Sequence, residues 1–224
     1  MNVLILGASG MIGQGVLREC LLDPDVERVV ALGRSRSGVA HAKLRDLTHK
    51  HLFDLSSIEA DLTGFDACFD CLGPSSSGMS EADYERITYT LTTNIAETLS
   101  RLNPQMTFIY VSGAGTDGTE KGNAMWARVK GRTENALLRL PFKAAYMFRI
   151  AAVLPAHGER SRTALYRFLY SALKPLTPFF RWAVPGYVLT TEDVGRAMLY
   201  LARSAPAKTV LESPEIGALV RHPL

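Results

Sequence analysis

The sequence predicts an α/β fold: a doubly wound parallel sheet with helices on both faces and a small helical lobe near the C-terminus. Three observations lead there. Short β-branched and aliphatic runs alternate with amphipathic helical stretches, the pattern of a parallel sheet covered on both sides. Three glycines, Gly7, Gly10 and Gly13, fall between the first such run and the first helix. After about residue 155 the alternation gives way to a helical, aromatic, proline-broken stretch. The predicted division is therefore a core over 1–155 and a segment over 156–224 that completes the same domain, with 160–186 as a cover. A chain of 224 residues is long enough for one domain with a full core.

The first strand is read over 2–7 (NVLILG). The helix after it carries Ile12, Val16, Leu17 and Cys20 at helical spacing. RVVALG (28–33) is the second strand, HLFDL (51–55) a weaker third, and FDACFDCLG (65–73) a strong fourth. A long helix is expected over roughly 80–102, with Ile87, Leu91, Ile95 and Leu99 along one stripe. MTFIYVS (106–112) is the fifth strand, 123–140 a helix, and 143–153 the sixth strand with its loop. Leu165, Phe168, Leu169, Ala172, Leu173 and Leu176 mark one apolar helix face, which Pro175 and Pro178 end. TTEDVGRAMLYLA is a further helix, with Thr190 and Asp193 at capping-box spacing. TVLES reads as a last strand, and Ser213-Pro214 as the cap and first residue of a last short helix.

Composition narrows the function. A net charge of +3 is too small for a nucleic-acid binder, which gathers basic residues into stripes. No uncharged apolar stretch reaches the ~20 residues of a membrane span, and Met1 leads directly into a strand without a signal-peptide pattern. With three cysteines, an odd number, the expectation is free thiols in a reducing, cytoplasmic setting. Cys68 and Cys71 have C-x-x-C spacing, but on a strand residues three apart face opposite sides, so packing is expected rather than redox chemistry. His49 and His51 lack the further ligands of a metal site and read as loop residues.

VLILGASGMIG is the most informative stretch. Gly7 permits a tight turn, Gly10 lets the backbone approach a pyrophosphate, and Gly13 lets the helix pack closely on the sheet. Ser9, Met11 and Ile12 complete the turn into a helix start whose N–H groups and dipole favour phosphate. A glycine motif is weak evidence alone; between a strand and a helix it points to a dinucleotide. The second strand ends in LGRSRS. Arg34 lies 21 residues past Gly13, where an acidic residue would hold the ribose 2′-hydroxyl of NAD. A guanidinium there suits the 2′-phosphate of NADP, with NAD as the alternative.

With these residues in place the chain resembles the short-chain dehydrogenases/reductases, in particular the small atypical branch grouped with NAD-dependent epimerases and dehydratases. GASGMIG has that branch's GxxGxxG spacing. The likeness covers roughly 1–155 and returns at YVLTTEDVGRAMLYLA. It implies a Rossmann core in which Asp54 and Leu55 lie near the adenine and Cys71, Leu72 and Gly73 run beside the cofactor's ribose. It further implies that Lys130 bonds the nicotinamide ribose and that Ile150, Ala151 and Val153 belong to the turn lining the nicotinamide.

The acid–base apparatus departs from that pattern. The hydroxyl that holds the substrate oxygen falls on Ser112 or, in the other register, on Gly113. The Tyr of Tyr-x-x-x-Lys is Trp126, ahead of Lys130. A phenol beside an ammonium can exchange a proton near neutrality; an indole N–H does not titrate in water. Tyr110, His157 and Lys130 are other groups near the end of the sheet, and GAGTDGTEKGN reads as a mobile loop over the site. Two functions follow: an NADP-dependent oxidoreductase or epimerase-like enzyme on a small carbonyl or hydroxyl substrate, or a non-catalytic NADP-binding redox sensor or regulatory protein. The basic and aromatic residues of 160–186 suit a substrate cover, a homodimer face or a membrane-headgroup surface.

Overall fold

The computed structural model describes residues 1–159, 186–204 and 206–221. Within them lies a seven-stranded sheet in the order β3-β2-β1-β4-β5-β6-β9, parallel at every pairing. Its strands are β1 (Asn2–Leu6), β2 (Arg28–Gly33), β3 (Leu44–Thr48), β4 (Ala67–Asp70), β5 (Thr107–Gly113), β6 (Ala144–Ile150) and β9 (Val210–Glu212). A separate parallel pair joins β7 (Ala152–Leu154) to β8 (Val188–Thr190). The helices are α1 (Met11–Leu22), α2 (Glu81–Glu85), α3 (Leu91–Leu102), α4 (Met125–Leu137), α5 (Thr191–Ser204) and α6 (Ser213–Arg221). A π-turn over Arg86–Thr90 joins α2 to α3, and a 3-10 stretch spans Ser56–Leu62.

Alternation along the strands divides the core. Val3, Ile5, Val29 and Ala31 face one layer with α1, α5 and α6, where Val16, Leu17, Val194, Met198 and Ile216 meet them. Leu4, Leu6, Val30 and Leu32 face the other, with Ile95 and Leu99 of α3 and Leu137 of α4. Strands buried on both faces read as continuous apolar runs, which is why β1, β2 and β4 were legible. Helices α1 and α5 cross closely because glycines sit at the crossing. A Cβ on Gly195 would lie 2.7 Å from Glu19 Cγ and 3.2 Å from Val16 Cα.

The third strand is not HLFDL. It is LRDLT, seven residues earlier. It is the sheet's edge, with only Leu47 fully buried, so its sequence is charged. Leu52 and Leu55 of HLFDL are buried beneath a loop instead. The capping box on α5 forms as expected: Asp193 N–H donates to Thr190 Oγ1 at 3.0 Å, and Thr190 N–H donates to Asp193 Oδ2 at 2.8 Å. The hydroxyl of Ser213 has a different job, accepting the Ala151 N–H at 2.8 Å across the carboxyl edge of the sheet. The helix expected over 165–176, and the cover over 160–186 apart from Gly186, lie outside the described residues.

Candidate functional site

The ends of β1, β2, β4, β5 and β6 converge on one edge, on either side of the point where strand order reverses between β1 and β4. Open α/β sheets bind ligands at that edge. Gly7 turns the chain out of β1 with φ +74, and a side chain there would press on the Cys71 carbonyl at 2.7 Å. Gly13 is equally obligatory, since a Cβ would collide with the Gly7 carbonyl. Gly10 differs. A Cβ there would meet only Gly7 O, at 3.4 Å. The protein's own packing leaves room for a methyl group at Gly10. Gly10 also caps α1 without a side-chain hydrogen bond, and the first turn carries no acidic residue. This helix start fits an anion such as a pyrophosphate.

A hollow continues from this turn toward β2, lined by Gly7, Ala8, Ser9, Gly33, Arg34, Ser35, Ser37, Leu52 and Leu72. Arg34 is exposed at its rim and has no ion-pair partner among the described residues. Asp46, in the middle of β3, accepts the Ser37 N–H at 2.9 Å and so holds the Arg34–Ser37 turn. The misplaced third strand concealed Asp46. Asp54 and Leu55 are not brought to this hollow. Asp54 is exposed in a separate depression with Phe53, Glu59 and Asn94, and Leu55 is buried in the core. A bond from the Ser56 hydroxyl and another from its N–H hold the Asp54 carboxyl below its ordinary range.

On the far side of β1, Leu72 lines the hollow and Gly73 is open, with nothing within 4 Å of a built Cβ. Cys71 is half-buried against the α1 layer, whereas Cys68 is buried in the opposite one. Burial raises both thiols well above their ordinary range. Maleimide applied to the reduced native protein is therefore expected to leave Cys68 and Cys71 unlabelled; rapid labelling of both would contradict this packing. Ile150 sits at the end of β6 with its carbonyl bonded to Ala114 N–H at 3.0 Å. Ala151 is exposed beside it, while the Val153 side chain turns into the core. Met11 and Ile12 are half-buried in the first turn of α1.

Trp126 and Lys130 stand one turn apart on α4. The indole lies over the end of β5: built Cβ atoms on Gly113 and Gly115 would be 3.6 and 3.5 Å from its six-membered ring. Gly113 also faces Lys130, whose Cδ would be 3.9 Å away. Ser112 is buried, and its hydroxyl lies 3.1 Å from Thr116 Oγ1. Thr116 donates its own proton to the Gly113 carbonyl at 2.7 Å, so Ser112 is the donor to Thr116 and keeps no proton for a substrate. Lys130 Nζ donates to Tyr110 Oη at 3.2 Å and to the Val111 carbonyl at 3.3 Å. Burial lowers Lys130 to about 8, against the pull of the Asp70 and Glu134 carboxylates.

One other reading changes, that of the glycine-rich loop. The glycine-rich stretch is a pinned turn: Asp117 accepts N–H groups of Thr119, Lys121 and Gly122, which hold its carboxyl near 2 with the Thr119 hydroxyl as the largest cause. His157 pairs with Glu192 at 2.7 Å, and Glu192 with Arg196, on the α1–α5 side.

Comparison with known proteins agrees with this architecture. The family model for the NAD dependent epimerase/dehydratase family matches residues 3–136, more than half of the chain. The chain belongs to that family. Among solved structures in its fold, DesIV, a dTDP-glucose 4,6-dehydratase from Streptomyces venezuelae with NAD bound, aligns with TM-score 0.69 at 14% identity, over 95% of this chain and 75% of that one. The Bordetella bronchiseptica enzyme WbmF in complex with NAD+ aligns with TM-score 0.66 at 14% identity, over 98% and 77%. At such identities the likeness speaks for the Rossmann fold. Among sequence relatives, Protein fmp52, mitochondrial, from Emericella nidulans is 24% identical over 92% of this chain and 91% of its own. Protein FMP52, mitochondrial, from Chaetomium globosum is 24% identical over 97% and 96%. These names correct the cytoplasmic expectation, which rested on free thiols and a missing export signal; neither separates the cytoplasm from a mitochondrial location.

Proposed function

We propose that this epimerase/dehydratase-family chain is an NADP(H)-dependent oxidoreductase acting on a small carbonyl or hydroxyl compound. The observation that carries the reading is the hollow from Gly7, Ala8 and Ser9 to Arg34, which joins a helix start suited to pyrophosphate to a guanidinium with no ion-pair partner among the described residues. Gly7, Ser9 and Gly10 would hold the pyrophosphate, Arg34 the 2′-phosphate, and Leu72 and Gly73 the ribose on the far side of β1. Lys130, with Ile150 and Ala151 across from it, marks the nicotinamide end. The bound nicotinamide would supply hydride chemistry; the chain must orient the two reactants, exclude water and provide the proton. The solved relatives named above carry NAD, so the preference for the phosphorylated cofactor rests on Arg34 alone.

Calorimetry with both cofactors tests it. NADPH is expected to bind more tightly than NADH, and Arg34→Ala to weaken NADPH alone by about 1.5–3 kcal/mol, the scale of a lost charged hydrogen bond. Equal affinities in the wild type would remove the NADP argument. Trp126 favours a second reading, a redox sensor that binds the cofactor without turnover. Tight NADPH binding with no oxidation on any of a broad carbonyl panel would decide for it.

A further inference from the structure

We propose that Lys130 is the proton donor of this site, with Asp70 and Tyr110 beneath it as positioning residues, so that the proton chemistry absent at Trp126 sits one turn further along α4. The proposal rests on the oxidoreductase reading above. Asp70, the last residue of β4, is the register partner of Tyr110, midway along β5, and both are completely buried, so neither can touch a substrate. Lys130 is only part-buried and lies beside Gly113 and Trp126, at the open edge. Its ammonium has three N–H bonds, of which Tyr110 Oη and the Val111 carbonyl take two. Among the described residues nothing takes the third, which is free for a ligand. The Tyr110 ring lies under the ammonium, 4.9 Å from Nζ to its centroid, and fixes it from below.

Asp70 is the unusual member. Its Oδ1 accepts the Leu72 N–H at 2.9 Å, whereas Oδ2 is buried with no hydrogen-bond partner among the described residues. A half-bonded buried carboxylate is costly, and Lys130 is the cation whose field it shares. The other charges around Lys130 are already engaged. Glu134, one turn on along α4, is held by Arg149 of β6, with Nη2 to Oε2 at 2.7 Å. Asp117, on the turn packed against Gly131, is bound within its own turn. Tyr84 of α2 is buried and adds no charge near neutrality, since burial raises its phenol. Burial also pushes Asp70 up to about 7 and lowers Lys130 to about 8. Both shifts run toward the range where a proton donor is useful.

A bound reduced nicotinamide would supply hydride to the carbonyl carbon and be left oxidised; Lys130 Nζ would give its proton to the carbonyl oxygen, so that C–H and O–H bonds replace the C=O π bond, and the neutral amine would regain its proton from water. Because the donor must be protonated, the reductive rate falls as pH rises through the Lys130 pKa. Asp70→Asn removes an anion that favours the ammonium, so the falling limb moves to lower pH. Tyr110→Phe removes an acceptor from Nζ, leaves the ring in place, and moves the limb the same way.

The test pairs two measurements on wild type, Asp70→Asn and Tyr110→Phe. One is NMR titration of the Lys130 ε-carbon in protein without cofactor. The other is NADPH oxidation against a panel of small aldehydes and ketones across the same pH range, with NADPH affinity checked by calorimetry. The expected result is a Lys130 midpoint near 8, a rate limb at that pH, and a joint shift of about one pH unit in the variants, a tenfold loss of rate above the limb. NADPH affinity should stay within about twofold. If Asp70→Asn does not fold, Tyr110→Phe decides alone. A Lys130 midpoint at its ordinary value, or a limb that stays put while the midpoint moves, overturns the donor assignment and leaves the oxidoreductase reading standing. No oxidation on any substrate, with NADPH bound, fails the oxidoreductase reading and takes the assignment with it.

Discussion

Gly10→Val is expected to abolish dinucleotide binding, by at least about 100-fold in Kd, while leaving a folded protein. A pyrophosphate at the start of α1 needs its phosphate oxygens against bare backbone, and a branched side chain at residue 10 occupies that approach. The Gly10 Cβ position clashes with nothing in the chain; its nearest neighbour, Gly7 O, is 3.4 Å away. Gly13→Ala supplies the contrast. Its methyl group would be driven into the Gly7 carbonyl, so α1 would have to leave the sheet, and the variant is expected to be destabilised by several kcal/mol or not to fold. Circular dichroism melts and NADPH calorimetry on both variants check the pair. Normal NADPH affinity in folded Gly10→Val would mean that the dinucleotide lies elsewhere.

The second large effect is a gain. Trp126→Tyr is expected to raise the rate of NADPH-dependent carbonyl reduction about 10²-fold, at the lower end of the ~10²–10⁴ range for general acid–base help because Lys130 already supplies part of it. Tyrosine is smaller than the indole it replaces, and the space over Gly113 and Gly115 already holds an aromatic ring. A phenol there stands one helical turn from the Lys130 ammonium, which lowers its pKa and lets it lend a proton. Gly113→Ser, whose Cβ would make ordinary contacts with Trp126 and Lys130, adds the hydroxyl that Ser112 does not offer. Steady-state NADPH oxidation in the single and double variants measures this. Strong wild-type turnover lost in Trp126→Tyr would show instead that the indole shapes the pocket.

What the sequence disclosed follows from where its physical signals are local. Gly7, Gly10 and Gly13 sit within one turn, and Thr190 and Asp193 within another, so spacing alone placed them. β3 was missed because an edge strand needs few apolar residues: LRDLT is mostly charged or polar, while the more apolar HLFDL feeds loop residues into the core. Asp54, which the resemblance had implied, lies eight residues after Asp46 and in a separate depression. Tyr110 stood out in the sequence only as one more group near the end of the sheet, yet its hydroxyl meets Lys130 across 20 residues of sequence. The orphaned Asp70 carboxylate has no sequence signal, because FDACFDCLG reads as an ordinary buried strand. The Ser112–Thr116 bond depends on a turn pinned by Asp117, which glycine content alone suggested was mobile.

A crystal structure of the protein with NADPH tests the account most directly. The prediction is a pyrophosphate over Gly10 at the start of α1, the 2′-phosphate within hydrogen-bonding distance of Arg34, and the nicotinamide between Lys130 and the Ile150–Ala151 turn. A dinucleotide bound away from the Gly7–Gly13 turn, or bound there with Arg34 turned from the 2′-phosphate and its adenine in the Asp54 depression, would contradict it.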